Sequence, residues 1–123
     1  LVDDVARAHD FYVNTLGFKV KDDVTHGDFR WLTVTNASGP AEDSGIELLL
    51  EPKAIQQQLL LLGTQKDGIP FTQFLSEDVK AEYEKLSAKG VDFTMEPTDV
   101  GPSIVAIFDD TVGNLIQMVQ LKL

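Results

Sequence analysis

The chain contains no cysteine, and this absence excludes several kinds of chemistry. Without cysteine, a chain of 123 residues has no disulfide framework, no thiolate nucleophile and no sulfur ligand for a metal. The absence of cysteine fits a reducing compartment, so we predict a cytoplasmic protein. Apolar runs such as residues 59–62 are far shorter than the roughly 20 residues that span a bilayer. We therefore predict no membrane partner.

Basic residues are scarce as well. The chain has 10 Lys and Arg against 20 Asp and Glu, which gives a formal net charge of -10 at pH 7. Because nucleic acid binding depends on neutralising phosphates, this charge disfavours a nucleic acid partner. A neutral or cationic small molecule is the ligand that the charge favours. Apolar residues make up 43% of the chain, enough for one domain with a hydrophobic core.

The order of predicted elements occurs twice along the chain. Asp3 or Asp4 caps a first helix that ends at Gly17, and Asp78 caps a second helix that ends at Gly90. Each helix is followed by three segments with the composition of strands. The predicted strands are residues 18–25, 29–35 and 45–51 after the first helix, and residues 91–96, 103–108 and 115–121 after the second, with a loop at residues 97–102.

A further predicted strand, residues 71–75, precedes the second helix, whereas only Leu1 and Val2 precede the first. By symmetry we expect the first strand of the first copy to lie upstream of Leu1. The repeated unit is therefore βαβββ, and the predicted fold class is α+β. The predicted organisation is one domain made of module one (residues 1–52), a connector (residues 53–69) with a short helix at residues 54–62, and module two (residues 70–123).

The last strands of the two copies match position for position. Residues 46–49 read I-E-L-L and residues 116–119 read I-Q-M-V, so Glu47 aligns with Gln117. Each polar side chain interrupts an apolar strand and needs a hydrogen-bonding partner or a ligand.

Together these features resemble the glyoxalase, bleomycin-resistance and extradiol-dioxygenase superfamily, also called the vicinal-oxygen-chelate fold. The resemblance implies two βαβββ modules whose sheets form a curved mixed sheet around a cleft for a small molecule. It also implies a homodimer, since a partner subunit often completes the cleft in this family. The pieces that carry the resemblance are V-D-D (residues 2–4), H-D-F-Y (9–12), L-G-F (16–18), I-E-L (46–48), D-V (78–79), D-D (109–110) and G-N-L-I-Q (113–117).

Metal-using relatives take ligands from four strand positions, usually His on each first strand and Glu on each last strand. One of these positions falls before Leu1. Glu47 matches the last-strand position of module one, whereas Phe71 and Gln117 replace the expected ligands of module two. Phenylalanine donates no lone pair and glutamine carries no charge, so the resemblance favours no metal cofactor. If a divalent metal is present, Glu47 and Gln117 are the candidate ligands.

The predicted site lies on the concave face of the sheet. Glu47 is a candidate catalytic base, or a carboxylate that is solvated or bonded to a side chain of a neighbouring strand. Gln117 either orients a ligand or pairs with Glu47. Phe108 is expected in the core, and the Asp109-Asp110 pair on the solvated surface. The predicted lining residues are Trp31, Thr33, Glu47, Phe71, Gln73, Ile104 and Gln117.

Three functions compete at this point. The first is binding of a small organic molecule without a metal, similar to the antibiotic-resistance branch of the superfamily. The second is a divalent-metal-dependent lyase, isomerase or dioxygenase with Glu47 as ligand or base. The third is a non-catalytic interaction domain that retains a vestigial cleft.

Overall fold

The computed structural model describes residues 1–27, 29–35, 47–51 and 67–122. The chain divides into two compact units, Leu1–Ala54 and Ile55–Leu123. The helix predicted at residues 54–62 and the first two residues of the strand predicted at 45–51 lie outside the described residues.

The first unit begins with a capped helix. Helix α1 (Val5–His9) starts at Asp4, whose carboxylate accepts a hydrogen bond from the Arg7 amide at 3.1 Å. The helix continues as a wider π-helical segment (Asp10–Thr15), which buries two adjacent aromatic side chains. It ends at Gly17, whose φ of 86° is available to glycine without strain. Both predicted ends of this helix are therefore present in the structure.

The sheet of the first unit is antiparallel, in the order β1 (Lys19–His26), β2 (Phe29–Thr35) and β3 (Leu48–Leu49). Leu32 and Val34 of β2 are buried on the face opposite the exposed Trp31. Strand β3 is shorter than predicted, but two backbone bonds extend its ladder. The Leu50 amide donates to the Leu32 carbonyl at 2.9 Å, and the Val2 amide donates to the Glu51 carbonyl at 2.8 Å.

The second unit has the complete strand-helix-strand-strand-strand order. Its elements are β4 (Thr72–Leu75), α2 (Val79–Ala88), β5 (Phe93–Asp99), β6 (Ser103–Asp109) and β7 (Leu115–Leu121). The strands lie in the order β4-β7-β6-β5, and β4 pairs with β7 in parallel. The predicted α+β fold class is confirmed.

Two side chains fix the start of α2. The Asp78 carboxylate accepts from the Ala81 amide at 3.0 Å, as the predicted cap requires. The Val79 amide donates to the side-chain oxygen of Gln120 at 3.0 Å. Because Gln120 lies on β7, this bond ties the first turn of the helix to the sheet.

Strand β5 continues past its predicted end. The loop predicted at residues 97–102 is wrong in part, because Pro97 lies inside β5 and the strand ends at Asp99. The pairing with β6 shifts between Met95 and Thr98, which marks a bulge around the proline. Proline has no amide hydrogen to donate, and a bulge on a strand at the edge of the sheet accommodates it.

The core of the second unit includes a chain of three aromatic rings. Tyr83 of α2 meets Phe93 of β5 edge to face at 4.7 Å between ring centroids, and Phe93 meets Phe108 of β6 at 5.6 Å. Phe108 is 1% exposed. Its predicted place in the core is therefore confirmed.

The turn between β6 and β7 is organised by a buried carboxylate. We predicted Asp110 on the solvated surface, and this is wrong: its exposed fraction is 0%. Asp110 Oδ1 accepts from the amides of Val112 and Asn114 at 2.9 Å each, and Oδ2 accepts from Asn114 Nδ2 at 2.9 Å. Two residues of this turn have a positive φ, Thr111 at 68° and Gly113 at 104°, and only glycine adopts such a φ without strain. The turn sets where β7 begins, at Leu115, five residues after Asp110.

In the described part of the chain, neither helix has the length and apolar character to cross a bilayer.

Candidate functional site

A bulge in β1 brings three of the polar groups of the first unit together. The pairing of β1 with β2 shifts between Val20 and Asp22, so one residue of β1 has no direct partner on β2. The Asp22 amide donates instead to the hydroxyl of Thr33 at 3.2 Å. That hydroxyl donates in turn to Glu47 Oε1 at 2.9 Å. The Thr33 side chain thus links β1 and β2 to Glu47, the residue directly before β3.

The bond from Thr33 shows which environment Glu47 has. This bond is the one expected for a carboxylate bonded to a side chain of a neighbouring strand, and the role of Glu47 as a catalytic base stays a prediction. Glu47 is exposed, whereas Thr33 is buried. A carboxylate held on one oxygen and open to solvent can accept a further hydrogen bond or pair with a cation.

Trp31 lies on the same strand face as Thr33, two residues earlier. Its side chain is 45% exposed, and it pairs across the strands with Val24, which is also exposed. Leu32 and Val34 are buried on the other face, as the predicted alternation requires, but Thr33 is buried as well, so only Trp31 is exposed on its face among these four residues. The exposed indole of Trp31 is suited to contact a ligand.

Replacing Thr33 by valine tests the link between the strands. Thr33→Val keeps the shape but removes both hydrogen bonds of the hydroxyl, and it leaves the Asp22 amide at the bulge without its acceptor. We expect a loss of about 1–2 kcal/mol in the free energy of unfolding, measured by urea denaturation. Thr33→Ser retains the hydroxyl and should lose clearly less. Equal losses in the two variants would contradict a role for the hydroxyl.

In the second unit, two glutamines meet on neighbouring parallel strands. Gln73 of β4 is directly paired with Gln117 of β7. Gln117 Nε2 donates to Gln73 Oε1 at 3.0 Å. The sequence proposed that Gln117 orients a ligand or pairs with Glu47, whereas the partner in this bond is Gln73. The sequence predicted both glutamines at the site, and the structure brings them together.

This pair lies in an open pocket of about 310 Å³. The volume is at the lower end of the range for small-molecule sites. Phe71, which lies between two of the pocket residues in the chain, is 50% exposed. The sequence analysis missed two of the lining residues, Pro70 and Thr72. Both are direct neighbours of Phe71 in the chain, and this position was the signal that could have identified them. The pocket is lined by Pro70, Thr72, Gln73 and Gln117.

Ile104 does not belong with this pair. In the register of β6 and β7, Ile104 lies opposite Gln120 and Ile107 lies opposite Gln117. Since side chains alternate along a strand, Ile104 and Gln117 lie on opposite faces of the sheet. The sequence-based grouping of these two residues is therefore corrected: Ile104 is on the face whose Gln120 side chain binds the start of α2.

Two ion pairs of the described residues shift pKa values, and neither includes Thr33 or the two glutamines. Arg30 forms two bonds to Asp23, at 2.8 and 2.7 Å, and this lowers the pKa of Asp23 and raises the pKa of Arg30. A hydrogen bond from Lys122, followed by one from the Gly101 amide, lowers the pKa of Asp99. Arg30 therefore already has a carboxylate partner within the protein.

The side chains at the three readable metal positions do not form the donor set of a divalent cation. Glu47 has one oxygen engaged by Thr33, Phe71 has no donor atom, and Gln117 offers an uncharged oxygen. A hard cation requires several oxygen or imidazole donors with enough negative charge to replace its hydration shell. In the described ranges, no three His, Cys, Asp or Glu side chains come together in a way that could hold a metal ion.

A βαβββ unit with strand order β4-β7-β6-β5, preceded by a unit that repeats its capped helix and antiparallel strands, defines a two-module α+β protein of the vicinal-oxygen-chelate type. The chain belongs to the Glyoxalase/Bleomycin resistance protein/Dioxygenase superfamily, whose family model matches residues 1–118. The resemblance seen in the sequence is confirmed.

Individual relatives cover nearly all of the chain. The uncharacterized protein YurT of Bacillus subtilis (strain 168) is 44% identical, over 97% of this chain and 92% of its own length. The crystal structure of UcmS2 is similar with a TM-score of 0.77 and 31% identity, over 96% of this chain and 90% of that one. TnmS3, an antibiotic binding protein from Streptomyces sp. CB03234, has a TM-score of 0.74 and 27% identity, over 98% of this chain and 89% of its own.

Proposed function

We propose that this protein binds a small organic molecule and that it does so without a metal ion. The observation that carries the proposal is the hydrogen-bonded pair of Gln73 and Gln117 in a pocket. In the family pattern, the position of Gln117 is one that metal-using members give to a glutamate. Here an uncharged amide stands there, bonded to a second amide, and both retain donors and acceptors for a ligand.

Two further facts support binding as the activity. One structural neighbour, TnmS3, is an antibiotic binding protein. The formal net charge of -10 favours neutral or cationic molecules over anions, because it repels like charge. On this basis we propose sequestration of a neutral or cationic antibiotic-like compound by a cytoplasmic protein. Following the pattern of the family, the working form that we propose is a homodimer.

The rival proposal is a metal-dependent lyase, isomerase or dioxygenase of the same superfamily. It rests on Glu47, a carboxylate at a position that supplies a ligand in metal-using members. A single carboxylate and a neutral amide make a weak site for a divalent ion, which is why we favour binding without metal. A non-catalytic interaction domain with a vestigial cleft is the third proposal, and the binding experiment below separates it from the first.

Calorimetric titration with a panel of neutral and cationic antibiotics tests the proposal. We expect saturable binding of at least one compound, unchanged by excess EDTA and unchanged in Glu47→Ala. The metal content of the purified protein is measured in parallel. Binding that requires a stoichiometric divalent ion, and that is lost in Glu47→Ala, would overturn the metal-free proposal in favour of the enzyme. No saturable binding across the panel would overturn the sequestration proposal.

A further inference from the structure

The orientation of the Gln73 and Gln117 amides selects a particular chemical group. Gln117 uses one N–H as donor and Gln73 uses its oxygen as acceptor in the bond between them. What the pair retains is asymmetric: Gln117 keeps its carbonyl oxygen and its second N–H, whereas Gln73 keeps both of its N–H groups. The pocket residues therefore offer an acceptor and a donor side by side on adjacent strands.

Neither amide group can rotate by 180° on its own without losing the hydrogen bond between Gln117 and Gln73. If Gln117 alone rotated by 180°, its oxygen would face the oxygen of Gln73. If Gln73 alone rotated, its NH₂ group would face the NH₂ group of Gln117. The two amides therefore turn over only together, and in either orientation the pair presents an acceptor on one glutamine beside donors on the other.

We propose that this pair recognises a neutral carboxamide group in the ligand, such as a primary amide, lactam or ureide. The carbonyl oxygen of such a group accepts from Gln73 Nε2, and its N–H donates to Gln117 Oε1. A carboxylate has no hydrogen for Gln117, and an amidinium has no acceptor for Gln73. This inference rests on the proposed function, since it names the class of molecule that the pocket binds.

The geometry also predicts how selectivity changes when charge is introduced. In Gln117→Glu, the new carboxylate cannot donate to Gln73 Oε1, so Gln73 must turn its NH₂ group inward and its oxygen outward. The pair then presents mainly acceptors and a negative charge. In Gln73→Glu, the bond from Gln117 remains, but the outward donor is replaced by a carboxylate oxygen. Both variants lose the donor end and should prefer cations.

Gln120→Glu supplies the matched control. It adds the same charge to the same strand, three residues from Gln117 and on the opposite face. The new carboxylate can still accept from the Val79 amide at the start of α2, where a negative charge is favourable. Any effect of net charge alone should therefore appear in this variant too.

The experiment uses three probes of nearly the same shape: benzamide, benzamidine and benzoate. Binding is followed by NMR through the side-chain amide signals of Gln73 and Gln117. In the unsubstituted protein we expect saturable shifts with benzamide, and affinity about three- to tenfold weaker for each charged probe. In Gln117→Glu and Gln73→Glu we expect benzamidine to bind more tightly than benzamide by a similar factor. Gln120→Glu should keep the original order.

Several outcomes would overturn the inference. The first is that benzamide causes no saturable shift at either glutamine. The second is that the three probes bind with equal affinity. The third is that Gln120→Glu changes the order of the probe affinities as much as the other two variants do. If the antibiotic panel shows metal-free binding that Gln73→Glu and Gln117→Glu leave unchanged, the proposed function stands and only the carboxamide inference fails.

Discussion

Asp110→Ala should lower the free energy of unfolding by about 3 kcal/mol, although the residue lies in a turn. Its carboxylate accepts three hydrogen bonds at 2.9 Å, two of them from the backbone amides of Val112 and Asn114. Alanine would leave these donors without partners in a buried turn, and each unsatisfied buried donor costs about 1–3 kcal/mol. Urea denaturation followed by circular dichroism measures the loss.

Two further variants show whether the loss comes from the bonds. Asp110→Asn keeps an oxygen for the two backbone amides, but its NH₂ group would face that of Asn114, so we expect an intermediate loss. Asp109→Ala removes one exposed bond to the Thr111 amide and should cost less than about 1 kcal/mol. If Asp109→Ala and Asp110→Ala were equally destabilised, the buried network would not be what holds the turn.

The fold could be predicted largely because its signals are local. Asp4 and Asp78 cap helices through bonds to amides three residues away, and Gly17 and Gly90 end those helices with positive φ. Such signals can be recognised from a short stretch of sequence. The repeat of the same order then indicated the βαβββ unit, which the second unit shows in full.

The errors arose where the folded environment of a residue differs from what its residue type suggests. Pro97 reads as a loop residue, but a bulge accommodates it in an edge strand. Asp110 reads as a surface residue, since no local pattern reveals that the neighbouring amides will surround its carboxylate. Burial of this kind is decided by how the whole turn folds over the core.

The candidate site also combines features that can be predicted along one strand with features that depend on pairing between strands. The alternation of Trp31 with Leu32 and Val34 was readable along one strand. Pairing across strands was not, since the partners of Gln117 and Thr33 lie 44 and 14 residues away along the chain. Identifying which glutamine faces which requires the register of a parallel pair, and one residue of slippage would reverse the faces.

Ile104 shows how this limit affects a site prediction. It was grouped with Gln117 because both lie in strands of the second module. Its face depends on the pairing between β6 and β7, which sets Ile104 opposite Gln120. A residue on a correctly predicted strand can thus still be assigned to the wrong face.

Phe108→Ala should be the most destabilising of the substitutions considered, with a loss of about 3–5 kcal/mol in the free energy of unfolding. Phe108 is 1% exposed and lies at the end of the ring chain that links β6 through Phe93 to Tyr83 of α2. Removing its ring would leave a cavity between the sheet and the helix, together with the loss of the aromatic contact. Thermal and urea denaturation measure the loss.

Phe71→Ala is the matched comparison, because the same ring is removed from a side chain that is 50% exposed. We expect a loss of less than about 1 kcal/mol in stability, but weaker binding of the ligand found in the antibiotic panel, since Phe71 lies between two residues of the pocket. The two substitutions should therefore separate a ring that stabilises the fold from a ring that contacts the ligand. If Phe71→Ala lost as much stability as Phe108→Ala and left binding unchanged, Phe71 would be a structural residue that does not contact the ligand.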